Sequence, residues 1–148
     1  MLHKELAMPD KKTAIYVVKL DICLRKDGKA WLAKCPGIDL VTQAPTRKGV
    51  LVAIQEAVSL WFESCIGRNI LNEALEDLGF DKSPWDVKNG PLPRSNFIAI
   101  RELAPEEIPK GDFSFSIDSR RDDDFSVEGF IPAYLVKEQL GEFLHEVG

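Results

Sequence analysis

The chain has 148 residues, a formal charge of −5, 45% hydrophobic residues and 29% charged residues. Length and composition favour one domain with a real hydrophobic core and exclude a disordered chain. The acidic balance, with Lys and Arg scattered, argues against nucleic-acid binding, which draws most of its affinity from phosphate neutralisation.

The opening stretch, MLHKELAMPDKK, is mixed and charged. It lacks the apolar core of a signal peptide, so a cytoplasmic location is expected. No uninterrupted apolar run approaches the roughly 18 residues of a membrane span.

Residues 13–24, TAIYVVKLDICL, are rich in β-branched and aromatic side chains and predict a strand. Asp27-Gly28 predicts a two-residue hairpin turn, and residues 29–34 the return strand. This turn sets Lys26 opposite Lys29, Leu24 opposite Trp31, Ile22 opposite Ala33 and Leu20 opposite Cys35. Opposed residues share a face. Tyr16, Val18, Leu20, Ile22, Leu24, Trp31, Ala33 and Cys35 then form the core face, and Cys35 is a buried thiol in a structural hinge. The other face pairs Asp21 with Lys34 and Cys23 with Leu32. Lys19, Asp21, Leu32 and Lys34 lie there and are the candidate partner-binding residues. Ile15, Val17, Cys23 and Leu32 make this face too apolar to stay fully wet.

Pro36 and Gly37 end the return strand, because proline lacks a ladder donor and glycine permits the sharp turn. Residues 39–43 predict a third strand. Thr46 is the N-cap of a long helix over 47–66. Its apolar stripe is Val50, Ile54, Ala57, Val58, Trp61 and Cys65, with Gln55, Glu56, Ser59 and Glu63 on the wet side. A short helix over 70–78 ends at Gly79. Residues 82–95 predict a loop, 97–103 a strand and 104–111 a linker. Phe113, Phe115 and Ile117 alternate with polar residues and predict a strand. After a turn through 120–123 its partner strand covers 125–130. Pro132 opens a final helix with Ala133, Val136, Leu140, Phe143, Leu144 and Val147 on one face.

Little here points to chemistry. Cys23, Cys35 and Cys65 are far apart, and His3 and His145 sit at the two ends. No zinc-like spacing occurs, so neither metal nor cofactor is expected. Asp21, Glu56 and Glu102 are the carboxylates to consider for Mg²⁺-assisted hydrolysis. The expected strand and helix faces separate Asp21 from Glu56. No histidine in the body can activate a Ser or Cys nucleophile. The run Asp122, Asp123, Asp124 lacks calcium-loop spacing and reads as a solvated turn. A non-enzymatic protein is the expectation.

The stretches WLAKCPGIDLVTQAPT and VAIQEAVSLWFESC, followed by ILNEALEDLGF, resemble the HicB-like antitoxin family across residues 15–103. The resemblance implies an α+β fold, an α/β sandwich. It would have a β-β-β-α-α-β partial RNase-H-like core over 1–103 and a C-terminal β-hairpin and helix over 104–148. That extension would pack on the core or on a dimer mate. The implied function is to bind and neutralise a small mRNA-cleaving HicA-type toxin. The alternative is an orphan protein of this fold that self-associates or binds another protein; an Mg-dependent nuclease is a distant third. A homodimer is expected, since unpaired sheet edges template pairing. Ala44-Pro45-Thr46 replaces the family's Gly-Asp-Thr, and Arg47-Lys48-Gly49 its acidic first turn. No ribbon-helix-helix or helix-turn-helix is visible, which with the acidic charge argues against operator DNA as a partner.

Overall fold

The computed structural model describes residues 13–94, 96–107, 112–117, 121–132 and 135. The first twelve residues and nearly all of the final helix expected after Pro132 lie outside the described residues. The class is mixed α+β. Six strands form one sheet: β1 (Thr13–Asp27), β2 (Ala30–Cys35), β3 (Leu40–Ala44), β4 (Asp81–Pro84), β5 (Phe97–Leu103) and β6 (Asp124–Pro132). The helices are α1 (Arg47–Gly67) and α2 (Leu71–Asp77).

β1 is the spine. β6 runs antiparallel along it from Ile15 to Cys23. β5 pairs antiparallel with Thr13 to Lys19, and β2 with Cys23 to Asp27. Cys23 pairs with both Lys34 and Asp124, and Ile15 to Lys19 pair with both β5 and β6. A strand has two edges, so β2 and β5 share the edge opposite β6 and follow one another along it. β3 lies outside β2, and β4 lies parallel outside β5.

The hairpin register differs from the expectation by two residues. Asp27 faces Ala30, Lys26 faces Trp31, Leu24 faces Ala33 and Cys23 faces Lys34. The loop is Gly28-Lys29, with φ +64° at Gly28 and no positive φ at Asp27 or Lys29. Glycine in the first central position suits a II′ turn, whereas the expected Asp-Gly loop needed positive φ at the aspartate too. A shift of two keeps every residue on its face but changes its partner. The Asp21–Lys34 pair is therefore not formed.

The even-numbered face of β1 carries the main core. Tyr16, Val18, Leu20, Ile22 and Leu24 pack with Ala33, Cys35, Val50, Ile54, Val58, Phe62, Leu71 and Leu75. Thr46 caps α1, its hydroxyl accepting from the Gly49 N–H at 2.9 Å. The buried stripe is Val50, Leu51, Ile54, Val58, Phe62 and Cys65, rotated from the expected one. Phe62 is the buried aromatic and Trp61 is half-buried, because the Phe113 ring stacks on Phe62 with centroids 3.9 Å apart. Gln55 is not on a wet face: it is half-buried and donates to the Phe115 carbonyl. By length and composition α1 is the one described helix that could cross a membrane; Glu56 and Glu63 interrupt its apolar run, and its buried stripe packs on the sheet.

Two further expectations are corrected. Asp81–Pro84 is a strand, not loop. Residues 113–117 are not a strand; a single bridge joins Ser114 to Phe130. β6 therefore takes β1 as its ladder partner, not residues 113–117.

Candidate protein-interaction surface

The odd-numbered face of β1 is divided. At one end Ile15, Val17, Phe97 and Ala99 are buried beneath Leu92, with Trp85, Leu103 and Phe130 packed around them. The cover at this end is the loop after β4, and β6 extends the sheet beside it. The loop's shape is held by hydrogen bonds: the Trp85 indole donates to the Gly90 carbonyl at 3.1 Å, and the Arg101 Nε to the Trp85 carbonyl at 2.8 Å. The Trp85 ring meets Phe97 edge-on.

The other end of this face holds all four candidate partner-binding residues. Lys19 and Asp21 are half-buried on β1, Leu32 is half-buried and Lys34 exposed on β2. Neighbouring strands add complementary groups. Glu128 lies opposite Lys19, Ser126 opposite Asp21, and Val41 opposite Lys34. The Ser126 hydroxyl donates to Asp21 Oδ1 at 2.6 Å. Arg25 pairs with Asp124 at 2.9 Å, and that guanidinium holds the Asp124 carboxyl below its usual range. Val41 is 59% exposed on the outermost strand. The result is a mixed-charge face with a thin apolar margin.

The structural motif residues frame this face. Asp27 ends β1 opposite Ala30, and Gly28 begins the hairpin loop. Pro36 opens a 3-10 turn, Pro36–Ile38, closed by Asp39 in the left-handed region. At Gly37 a Cβ would come 2.7 Å from Asn96 Oδ1, so glycine lets the β2 and β5 ends approach. Between these ends lies a cavity of 360 Å³ lined by Asp21, Pro36, Gly37, Arg94 and Asn96. Sequence reasoning found the face by its period-2 pattern. It missed this break, which joins residues far apart in the chain. A larger surface groove of 690 Å³ follows the exposed side of α1 past Val52, Glu56, Leu60 and Glu63.

All three cysteines are free thiols. Burial pushes the Cys35 thiol up to about 12, and also raises Cys23 and Cys65. Asp21 lies on the outer face, Glu56 is exposed on α1, and Glu102 sits at the far end of β5 opposite Ala14. These carboxylates do not converge. Among the described residues no three His, Cys, Asp or Glu side chains are grouped to hold a metal ion.

The chain matches no family model, no curated protein and no solved structure. The functional reading therefore rests on the geometry of the face and on the resemblance carried by residues 15–103.

Proposed function

We propose that the protein is a non-enzymatic interaction module of the cytoplasm, similar to a HicB-type antitoxin, which binds and neutralises a small mRNA-cleaving toxin. The observation that carries this reading is the divided outer face. One end is sealed by the Trp85–Leu92 loop, while the end bearing Lys19, Asp21, Leu32 and Lys34, half-buried to exposed, lies outside that cover. A mixed-charge sheet face selects a protein partner by charge placement more than by buried area. The separation of Asp21, Glu56 and Glu102 among the described residues supports the same reading. Purification of the tagged full chain from its native host, with identification of bound proteins, tests the reading. Recovery of a small RNA-cleaving protein supports it; RNA cleavage by the purified chain alone with Mg²⁺, abolished by Asp21→Asn, would reverse it.

A second reading, self-association, is favoured by β3. This edge strand, LVTQA, has no charge, no proline and an exposed Val41. Natural edges are blunted by such groups, and an edge without them invites pairing with a second copy.

A further inference from the structure

The outermost strand, β3, presents a pattern of backbone groups that matches itself. We propose that two copies of the chain join β3 to β3, antiparallel and centred on Thr42. This pairing rests on the self-association reading above and specifies its register.

The inner strands decide which groups β3 turns outward. The Leu24 N–H donates to the Asp123 carbonyl at 2.6 Å, so even-numbered residues of β1 bond toward β6. Odd-numbered ones bond toward β2, because backbone groups alternate sides along a strand. Their partners are Lys34 for Cys23, Leu32 for Arg25 and Ala30 for Asp27. Even-numbered residues of β2 thus bond to β1, while Trp31, Ala33 and Cys35 bond to β3. They face Ala44, Thr42 and Leu40. Val41 and Gln43 are left to aim N–H and C=O away from the sheet. Both residues are exposed, and no strand lies beyond β3 among the described residues.

Two outward residues with one between them are self-complementary. About a two-fold axis at Thr42, Val41 of each copy faces Gln43 of the other. Each such pair exchanges two bonds, so every outward N–H of the two strands is met. The flanks exclude the neighbouring registers. With Val41 at the centre, Gln43 would face Asp39, whose φ is +57° and whose N–H already donates to the Pro36 carbonyl at 3.1 Å. With Gln43 at the centre, Val41 would face Pro45, which has no N–H. Charge agrees with the choice. β3 carries none, so no like charges meet across the join. The exposed Asp39 of each copy comes to the end where the other copy's α1 begins, with Lys48 exposed in its first turn. The join also covers Val41, the exposed apolar side chain of the strand. Two six-stranded sheets become one, with both outer faces on the same side. A partner then meets two sets of Lys19, Asp21, Leu32 and Lys34 on one surface.

The test is mild oxidation of the folded full-length chain carrying Thr42→Cys. Opposed residues hold their Cβ atoms about 4.5–5.5 Å apart, close to disulfide reach, whereas diagonal neighbours stand about 7–8 Å apart. Thr42→Cys is expected to form a linked dimer. Val41→Cys, diagonal to its own copy, is expected to stay unlinked, as is wild type with Cys23, Cys35 and Cys65 alone. Because Thr42 is half-buried, wild-type amide exchange supplies a second measurement. The Val41 and Gln43 amides should exchange about tenfold slower at a concentration that gives the dimer mass than at one that gives the monomer. A dimer mass with unchanged exchange at both amides would overturn the register and leave self-association standing. Linkage through Val41→Cys in preference to Thr42→Cys would do the same. A monomer mass at every concentration would remove both.

Discussion

Cys35 shows how one residue can carry opposite expectations. A thiol beside Pro-Gly could signal a reactive site, but the Cys35 side chain is fully buried between β1 and α1. In the folded chain its thiol stays protonated to about 12, against 9.0 when exposed. The unfolded chain therefore releases this proton first as pH rises through 9, and stability falls until about 12. Wild type should lose a few kcal/mol more than Cys35→Ala across that window, measured by urea unfolding at each pH. Equal losses would contradict this burial. Fast reaction of Cys35 with a thiol reagent in the folded chain would do the same.

Tyr16 makes a second test at this scale. It is fully buried, and its hydroxyl has no hydrogen-bond partner among the described residues although Asn72 lies near. The Lys82 ammonium, 5.1 Å from the ring centre, donates instead to Asn72. A buried hydroxyl without a partner costs about 1–3 kcal/mol. Tyr16→Phe is expected to raise or preserve the unfolding free energy. A loss of about 1 kcal/mol would show that the hydroxyl is bonded after all.

Among the elements, those that were legible share one property: their pattern is local. Thr46 and the apolar repeat after it announced α1, and residues 97–103 announced β5. Elements whose reason lies elsewhere in the chain were not legible. Asp81–Pro84 is polar with a proline, and it is a strand because β5 offers it an edge. Phe113 and Phe115 mimic a strand's alternation, yet Phe113 is buried against Phe62 and Gly129. The hairpin register turned on which residue of Asp27-Gly28-Lys29 stands first in the loop. The break beside Asp21 needed the β2 and β5 ends together, which no local pattern encodes. Gly129 tests the strand-level account. A Cβ there would collide with the Phe113 ring, so Gly129→Ala should either displace Phe113 or loosen β6. We expect a loss of roughly 1–3 kcal/mol, as for overpacked cores, with faster hydrogen exchange along β6. Unchanged stability and exchange would mean that Phe113 does not hold β6 in place.

For the whole molecule, a long first strand serves as a common spine. β6 occupies one edge of it, and β2 and β5 divide the other. That division leaves one half of the outer face under the Trp85 loop and the other half outside that cover. It also leaves β3 as an uncharged outer edge. A dimer mass by light scattering at micromolar concentration is expected from that edge, and Val41→Lys should shift it toward monomer. A monomer mass for wild type would remove the self-association reading.

The central claim is that the half of the outer face outside the Trp85 loop captures a protein partner. The most direct measurement is a paired purification from the native host of the tagged wild-type chain and the Asp21→Lys, Lys34→Glu double variant. Both substitutions lie on that half of the face and leave the core residues in place. The account predicts a specific co-purifying protein with wild type and its loss with a variant that melts at the same temperature. Equal recovery by the two chains would contradict it.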